Sequence, residues 1–294
     1  MDAFSDLIRM IRLDAEIYHN AFVCGDWRLD EYEPGATCFH VVTQGECHLY
    51  VPGHLDTELK RGDLVVFPRE IKHSMTPLKP ASGQQEHLPY AMATGKEGIG
   101  MLCGKLRFQH TASSQLLDAL PAVMLITHEQ AQTWLAPIFE LILTESFAST
   151  AASSVLLDRV SEILFIQALR HYLQNHKPQL GILALYGHPR LSVALIAIHQ
   201  SPENNWTLET MAQCAAQSRT QFAKTFRETS GWTPMQYLTW WRMQLAWSYL
   251  RDGLSIADVA ERVGYQSESS FLRIFKKTFG ENAGSVRRTY KQKN

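Results

Sequence analysis

Two groups of side chains in this chain have types and spacings that suit chemistry. The first is Cys103 with His40 and His73. A thiol beside an imidazolium or a guanidinium has its pKa lowered and becomes the thiolate that oxidants attack, so Cys103, with Cys24 as partner, reads as a redox switch. A cysteine packed as a small hydrophobe is the plainer alternative. The same Cys103, His40 and His73 offer three ligands to a regulatory zinc or copper ion, whereas either histidine alone reads as a satisfied core imidazole. The second group is C-terminal: Arg219, Thr220, Gln221, Ala223 and Lys224, then Glu268, Ser269, Arg273 and Lys276. Arg273 is the stronger guanine reader and Lys224 serves base or phosphate; Glu268 either accepts from cytosine N4 or stabilises the helix start where it stands. No nucleophile–base pair and no phosphate-cradling glycine loop accompanies these groups, which leaves no catalytic residue to name.

A tandem repeat positions the second group. Laying Ala212 on Ala260 puts Ser218 over Ser267, Phe222 over Phe271, Phe226 over Phe275 and Gly231 over Gly280, with one extra residue in the second turn. Each copy has an apolar-periodic helix, a break, a serine able to cap, and a second helix, which is the layout of a helix-turn-helix. Phe222 and Phe226, four apart, face inward as do Phe271 and Phe275, leaving the charged and hydroxyl side chains outside. Ser218-Arg219-Thr220-Gln221 has the form of a capping box. Between the units, Thr233-Pro234 opens a helix reaching Leu250, about 16 residues and roughly 24 Å long, enough to hold two reading helices about one turn of DNA apart. Arg242 on that helix reads as a structural ion-pair member rather than a DNA contact. Thr220 and Ala223 are short, so the second copy carries more of the base reading.

The first group lies among strands. Runs at 38–42, 46–51, 64–67 and 100–108, punctuated by Gly35, Gly45, Pro52-Gly53, Gly62-Asp63 and Pro68, suggest hairpins of an antiparallel barrel. Residues 1–20 read as a short helix and 76–99 as a long loop. Phe39, Val41, Leu49 and Phe67 line either an effector cavity or an ordinary barrel core. Helices follow at Trp134–Phe147 and Val155–Asn175, the second with an apolar stripe that serves a core or a dimer interface. Breaks at Lys177-Pro178 and Gly187-His188-Pro189 precede a helix at Arg190–His199. The expected fold is α+β: a barrel-like N-terminal domain with following helices over 1–186, and an all-α double helix-turn-helix domain over 187–294.

Composition narrows the partners. From residue 200 onward there are 13 Lys and Arg against 8 Asp and Glu, and before it 15 against 21, a basic head on an acidic body. No stretch approaches the roughly 18 apolar residues of a membrane span, and Met1-Asp2-Ala3-Phe4-Ser5-Asp6 lacks the basic start of a signal peptide, so a cytoplasmic protein is expected. Five cysteines, an odd number without a CxxC pair, argue against a disulfide framework and a zinc finger.

Specific stretches carry a family likeness. Trp206-Thr207-Leu208-Glu209, Ser218-Arg219-x-x-Phe222-x-x-x-Phe226, Gly231-x-Thr233-Pro234-x-x-Tyr237-Leu238-x-x-Trp241-Arg242 and Ile256-x-x-Val259-Ala260-x-x-Val263-Gly264-Tyr265-x-Ser267-x-Ser269-x-Phe271-x-Arg273-x-Phe275-Lys276 resemble the AraC/XylS family of bacterial transcription regulators. Phe39-His40-Val41-Val42-Thr43-Gln44-Gly45, Gly62-Asp63-Leu64-Val65-Val66-Phe67-Pro68, His73, Cys103-Gly104-x-Leu106-x-Phe108, Leu120-Pro121 and His188-Pro189-Arg190-Leu191 are similar to the cupin-type sensory domain of a subgroup of this family, and Met1-Asp2-Ala3, Asp26-Trp27, Thr43-Gln44-Gly45 and Cys103-Gly104-Lys105-Leu106-Arg107-Phe108-Gln109-His110 most resemble members that respond to reactive chlorine species. The resemblance implies a transcription factor, often an activator. It sets reading residues at Thr220, Ala223, Lys224, Glu268, Ser269 and Arg273. The implied partners are promoter double-stranded DNA, RNA polymerase and a second copy of the chain. The family usually has proline where Ala283 stands, and Val286-Arg287 replaces its Tyr-Arg, which puts the last helix in question. Cupin enzymes usually carry His-x-His plus a glutamate, whereas position 42 here is valine. That argues against the competing class, a cupin metalloenzyme with a helical appendage, and leaves no cofactor expected apart from the zinc or copper alternative.

Overall fold

The computed structural model describes residues 2–11, 13–30, 32–79, 82–108, 113–148, 150–176 and 181–291. The Lys177-Pro178 break therefore lies outside the described residues. The strands are β1 (Leu13–Cys24), β2 (Thr37–Gln44), β3 (Glu46–Val51), β4 (Leu55–Lys60), β5 (Leu64–Phe67), β6 (Ser74–Thr76), β7 (Glu86–Leu88), β8 (Gly98–Phe108) and β9 (Met124–Ile126). The helices are α1 (Ala3–Ile11), α2 (Ser113–Asp118), α3 (Gln132–Ala148), α4 (Ser153–His176), α5 (Ile182–Gly187), α6 (Leu191–Gln200), α7 (Leu208–Cys214), α8 (Arg219–Ser230), α9 (Pro234–Arg251), α10 (Ile256–Arg262), α11 (Glu268–Phe279) and α12 (Ala283–Lys291). They divide into two compact units, a sheet unit of Leu13–Phe108 with Leu120–Asn175, and a helical unit of Met1–Arg12, Gln109–Ala119 and His176–Asn294. Where the sequence suggested one boundary after residue 186, packing groups α1, α2 and α5 with the C-terminal helices.

The sheet unit is an antiparallel, barrel-like pair of sheets, ordered β7-β1-β8-β2-β5-β9 and β4-β3-β6. Val23, Cys38, Val42, Leu49, Val51, Leu59, Phe67, Met75, Met101 and Cys103 form one core contributed by both sheets. β2 is buried on both faces, which hides the usual alternation. Its Cys38 and Val42 enter this shared core, while Phe39 packs over Gly104, where any Cβ would meet the Phe39 ring at 2.5 Å. Two expectations change here. The helix read over residues 1–20 stops at Ile11, because Leu13 to Cys24 pair with β8 from Leu13↔Phe108 to Cys24↔Gly98, with one bulge between Ile17 and His19. The loop read over 76–99 contains β7, which adds to β1 through Phe22↔Leu88 and Cys24↔Glu86.

In the helical unit, α1 buries Ala3, Leu7, Met10 and Ile11. Phe4 meets Tyr186 edge-on at 6.2 Å, and Asp6 lies 3.5 Å from His199 Nδ1. His199 stacks on Trp241 at 3.5 Å and shares a 2.7 Å hydrogen bond with the Tyr237 hydroxyl. Burial pushes its pKa down to about 3, which keeps the ring neutral. A second core gathers Met243, Leu250, Val259, Val263, Phe271, Phe275, Ala283 and Val286. α12 begins at the buried Ala283, a first-turn position equally suited to proline, so the unusual residue still starts the last helix.

Candidate nucleic-acid interface and sensory centre

The repeat seen in sequence becomes two equivalent helix pairs, α7–α8 and α10–α11. Thr207 caps α7 with a reciprocal box to Thr210, and Ser255 caps α10 by accepting from Asp258 N. The turn after the first helix needs a left-handed residue in each copy, Ala216 at φ 49° and Gly264 at φ 77°. Ser218 Oγ accepts from Gln221 N and Ser267 Oγ from Ser270 N, both at 3.3 Å, opening α8 and α11. Gly231 and Gly280, at φ 76° and 74°, close them. The capping box read at Ser218 is only half formed, because the Gln221 amide donates at 2.8 Å to Thr225 on its own helix.

Phe222, Phe226, Phe271 and Phe275 are fully buried, which turns the intervening residues outward. Arg219, Thr220, Gln221 and Lys224 are exposed on α8 and Ala223 is half-buried; Glu268, Ser269, Arg273 and Lys276 are exposed on α11. Lys224 lies 3.9 Å from Glu228, a solvent-exposed pair worth little, while Arg273 has no ion-pair partner among the described residues. Arg242 is structural, as expected, but its partners are carbonyls rather than an acid: Nε donates to Pro202 O and an Nη to Asn204 O, each at 2.8 Å. It ties α9 to the segment that leads into α7.

In the sheet unit the first group is redistributed. Cys103 stands opposite His40 in the β2–β8 ladder, and the His40 and His73 rings are 5.3 Å apart. Cys24 is opposite Gly98, five residues along the strand from Cys103. That is about 16 Å, well beyond the roughly 7 Å Cα limit for a disulfide, so the two cysteines are not partners within one sheet unit. Cys24 Sγ instead faces the Glu86 carboxylate at 3.8 Å. Nor does Cys103 have the electropositive setting a thiolate needs: it is 2% exposed, burial pushes its thiol pKa up, and the groups around it are Tyr18, Cys47 and Glu70.

Two features were missed in the sequence. Cys38 Sγ, a His40 ring nitrogen and a Glu70 carboxylate oxygen lie within 4.8 Å of one another, all buried. The signal for Cys38 was present, since Cys38-Phe39-His40 places both side chains on one face of a strand; reading forward from His40 to Val42 overlooked it. A cavity of about 590 Å³ opens between β1, β7 and the ends of α3 and α4, lined among others by His19, Asn20, His87, Tyr90 and Phe147. It is not the barrel-core lining first considered. Leu49 and Phe67 belong to the shared core, Phe39 and Val41 point from the opposite face of β2, and all four are at most 1% exposed.

With this geometry in place, comparison with known proteins is direct. A cupin family model matches residues 2–174 and a helix-turn-helix domain model residues 211–289. The chain is 31% identical over 301 residues to an uncharacterized HTH-type transcriptional regulator of Haemophilus influenzae, covering 98% of this chain and 99% of that one. It is 30% identical over 298 residues to the RCS-specific HTH-type transcriptional activator RclR of Escherichia coli, covering 99% of each. It is 29% identical over 299 residues to the HTH-type transcriptional regulator AlkR of Acinetobacter baylyi, covering 96% and 97%. These relatives are named as regulators rather than enzymes, and no described helix is long and apolar enough to cross a membrane. The chain belongs to the AraC-type helix-turn-helix transcriptional regulators that carry an N-terminal cupin domain.

Proposed function

We propose that this regulator is a cytoplasmic activator that reads promoter double-stranded DNA with α8 and α11, works with RNA polymerase as a homodimer, and takes its signal, an oxidant or a small effector, through the sheet unit. The observation that carries the reading is the pair of equivalently capped helices whose exposed residues fall at matching offsets, Arg219 to Lys224 in one and Glu268 to Lys276 in the other. Support for an oxidant comes from the likeness to an activator named for reactive chlorine species. Support for an effector comes from the cavity beside His19 and His87. Genome-wide binding with and without hypochlorite tests both halves together. Sequence-specific sites whose occupancy or transcription changes with hypochlorite are expected, and an absence of specific sites sinks the reading. In the same assay Cys24→Ser and Cys103→Ser separate the thiols: a response lost in either variant assigns the signal to that cysteine, and a response kept in both removes the cysteine version.

A further inference from the structure

His40 is 5% exposed, and neither ring nitrogen has a hydrogen-bond partner among the described residues. A neutral imidazole carries one N–H and one lone pair, and leaving such groups unmet in a core is unfavourable. The His40 ring is therefore available to a ligand on the side it presents to the core. Cys38, two residues before it on β2, enters the same core. Glu70 is brought in from the segment after β5 and is held by both backbone and side chain. Its N–H donates to Ala36 O at 2.6 Å, its C=O accepts from Gly35 N at 3.1 Å, and its Oε2 accepts from Glu33 N at 2.9 Å. The carboxylate is buried with no Lys or Arg ion-pair partner among the described residues. The nearby Lys105 is engaged with Glu33 at 2.6 Å instead. A buried carboxylate without a counter-ion is costly, and a cation at this point offsets that cost while taking the lone pair of one His40 ring nitrogen.

We propose that Cys38, His40 and Glu70 bind a zinc ion, the Cys38 thiolate, a His40 ring nitrogen and a Glu70 carboxylate oxygen supplying three of four donors. His73 is the neighbouring imidazole, its ring centroid 5.3 Å from that of His40, but like Cys103 it stands outside the three-residue set, so the fourth position falls to water. The His73 Nδ1–H donates to Ile71 O at 2.8 Å, which leaves the Nε2 lone pair free, and its ring is fixed by stacking on Phe67 at 4.3 Å. A thiolate with imidazole selects zinc over magnesium or calcium, which take oxygen ligands. On binding, the Cys38 S–H bond gives way to an S–Zn bond and the proton leaves to solvent. Cys103, although opposite His40 in the ladder, is outside this donor set. The inference deepens the sensory reading of the sheet unit, but the site itself does not depend on what the signal is.

The test uses the purified full-length chain, stripped with EDTA, reloaded with Zn²⁺ or Co²⁺, dialysed, and assayed for metal content and visible absorption. One equivalent of metal is expected, with a thiolate-to-cobalt charge-transfer band. Cys38→Ser abolishes that band, and Cys38→Ser and His40→Ala each weaken Zn²⁺ binding by about 100-fold or more. Glu70→Gln, nearly isosteric, covers the case in which a core variant fails to fold, and it too lowers affinity while its melting curve stays cooperative. Cys103→Ser retains metal and band. A wild-type chain that holds no stoichiometric metal overturns the site, as does retention of metal by Cys38→Ser or a band that follows Cys103. Gel shifts on an enriched genomic fragment, run on the same preparations, keep the two readings apart: metal failure with intact DNA binding removes the zinc site alone.

Discussion

At the scale of single residues, Arg273 and His199 make contrasting claims on their surroundings. Arg273 is exposed, has no ion-pair partner among the described residues, and sits on the outward face of a helix whose inward face is fixed by Phe271 and Phe275. Arg273→Ala should weaken specific binding by about 1–3 kcal/mol and relax the preference at one base pair, as read by gel shifts on single-substitution operators; unchanged base preference would remove it from the readers. His199 is inward and neutral, packed by Asp6 of α1, Tyr186 of α5, and Tyr237 and Trp241 of α9. Its folded pKa is about 3 against 6.5 for an ordinary histidine. Between those values the unfolded chain holds a proton that the folded chain refuses, so its contribution is complete above pH 6.5 and is lost as pH falls. Each pH unit below 6.5 should cost the helical unit about 1.4 kcal/mol from this group. Denaturant midpoints at pH 7, 6 and 5 should therefore converge between wild type and His199→Gln, and a constant gap between the two would contradict the assignment.

At the scale of elements, the two helix pairs are legible from sequence because their determinants are local: caps, a four-residue phenylalanine interval and a closing glycine. The turns between the paired helices are less symmetrical than the repeat suggests. Ala216 tolerates its left-handed backbone, but Gly264 has no such choice, since a Cβ there would lie 2.7 Å from Glu203 O and 2.6 Å from the Arg242 guanidinium. Gly264→Ala should destabilise the helical unit by about 2 kcal/mol or more and impair DNA binding, whereas Ala216→Gly should change melting little. A neutral Gly264→Ala would show that the α10–α11 turn can relax. The strands were harder to read. β1 lacks a clean alternation and is held by its ladder to β8, and β7 is three residues inside a segment rich in glycine and proline. Neither carries enough local signal to stand out before its partner is known.

At the scale of the whole molecule, the helical unit recruits α1 from the opposite end of the chain. Leu7, Met10 and Ile11 are buried there, and each fully buried apolar side chain is worth about 1.5–3 kcal/mol. Removing residues 2–11 should lower the melting transition of the helical unit by several degrees in calorimetry. An unshifted transition would mean that α1 contributes no net stability. The acidic balance before residue 200 and the basic balance after it remain a property of the chain that places the phosphate-binding charge in its C-terminal third.

The sequence alone determined the double helix-turn-helix, its capping serines, its inward phenylalanines and the side chains left outside, because a helical face is set by residues three and four apart. It also determined the antiparallel, barrel-like character of the N-terminal half through short strands and turn residues. Tertiary structure alone decided which chemistry-bearing groups meet. Strand register separated Cys24 from Cys103, burial in the shared core held Cys103 as a thiol, and a loop return after β5 carried Glu70 to Cys38 and His40. Those distances depend on pairings between residues far apart in the chain, which no local periodicity encodes.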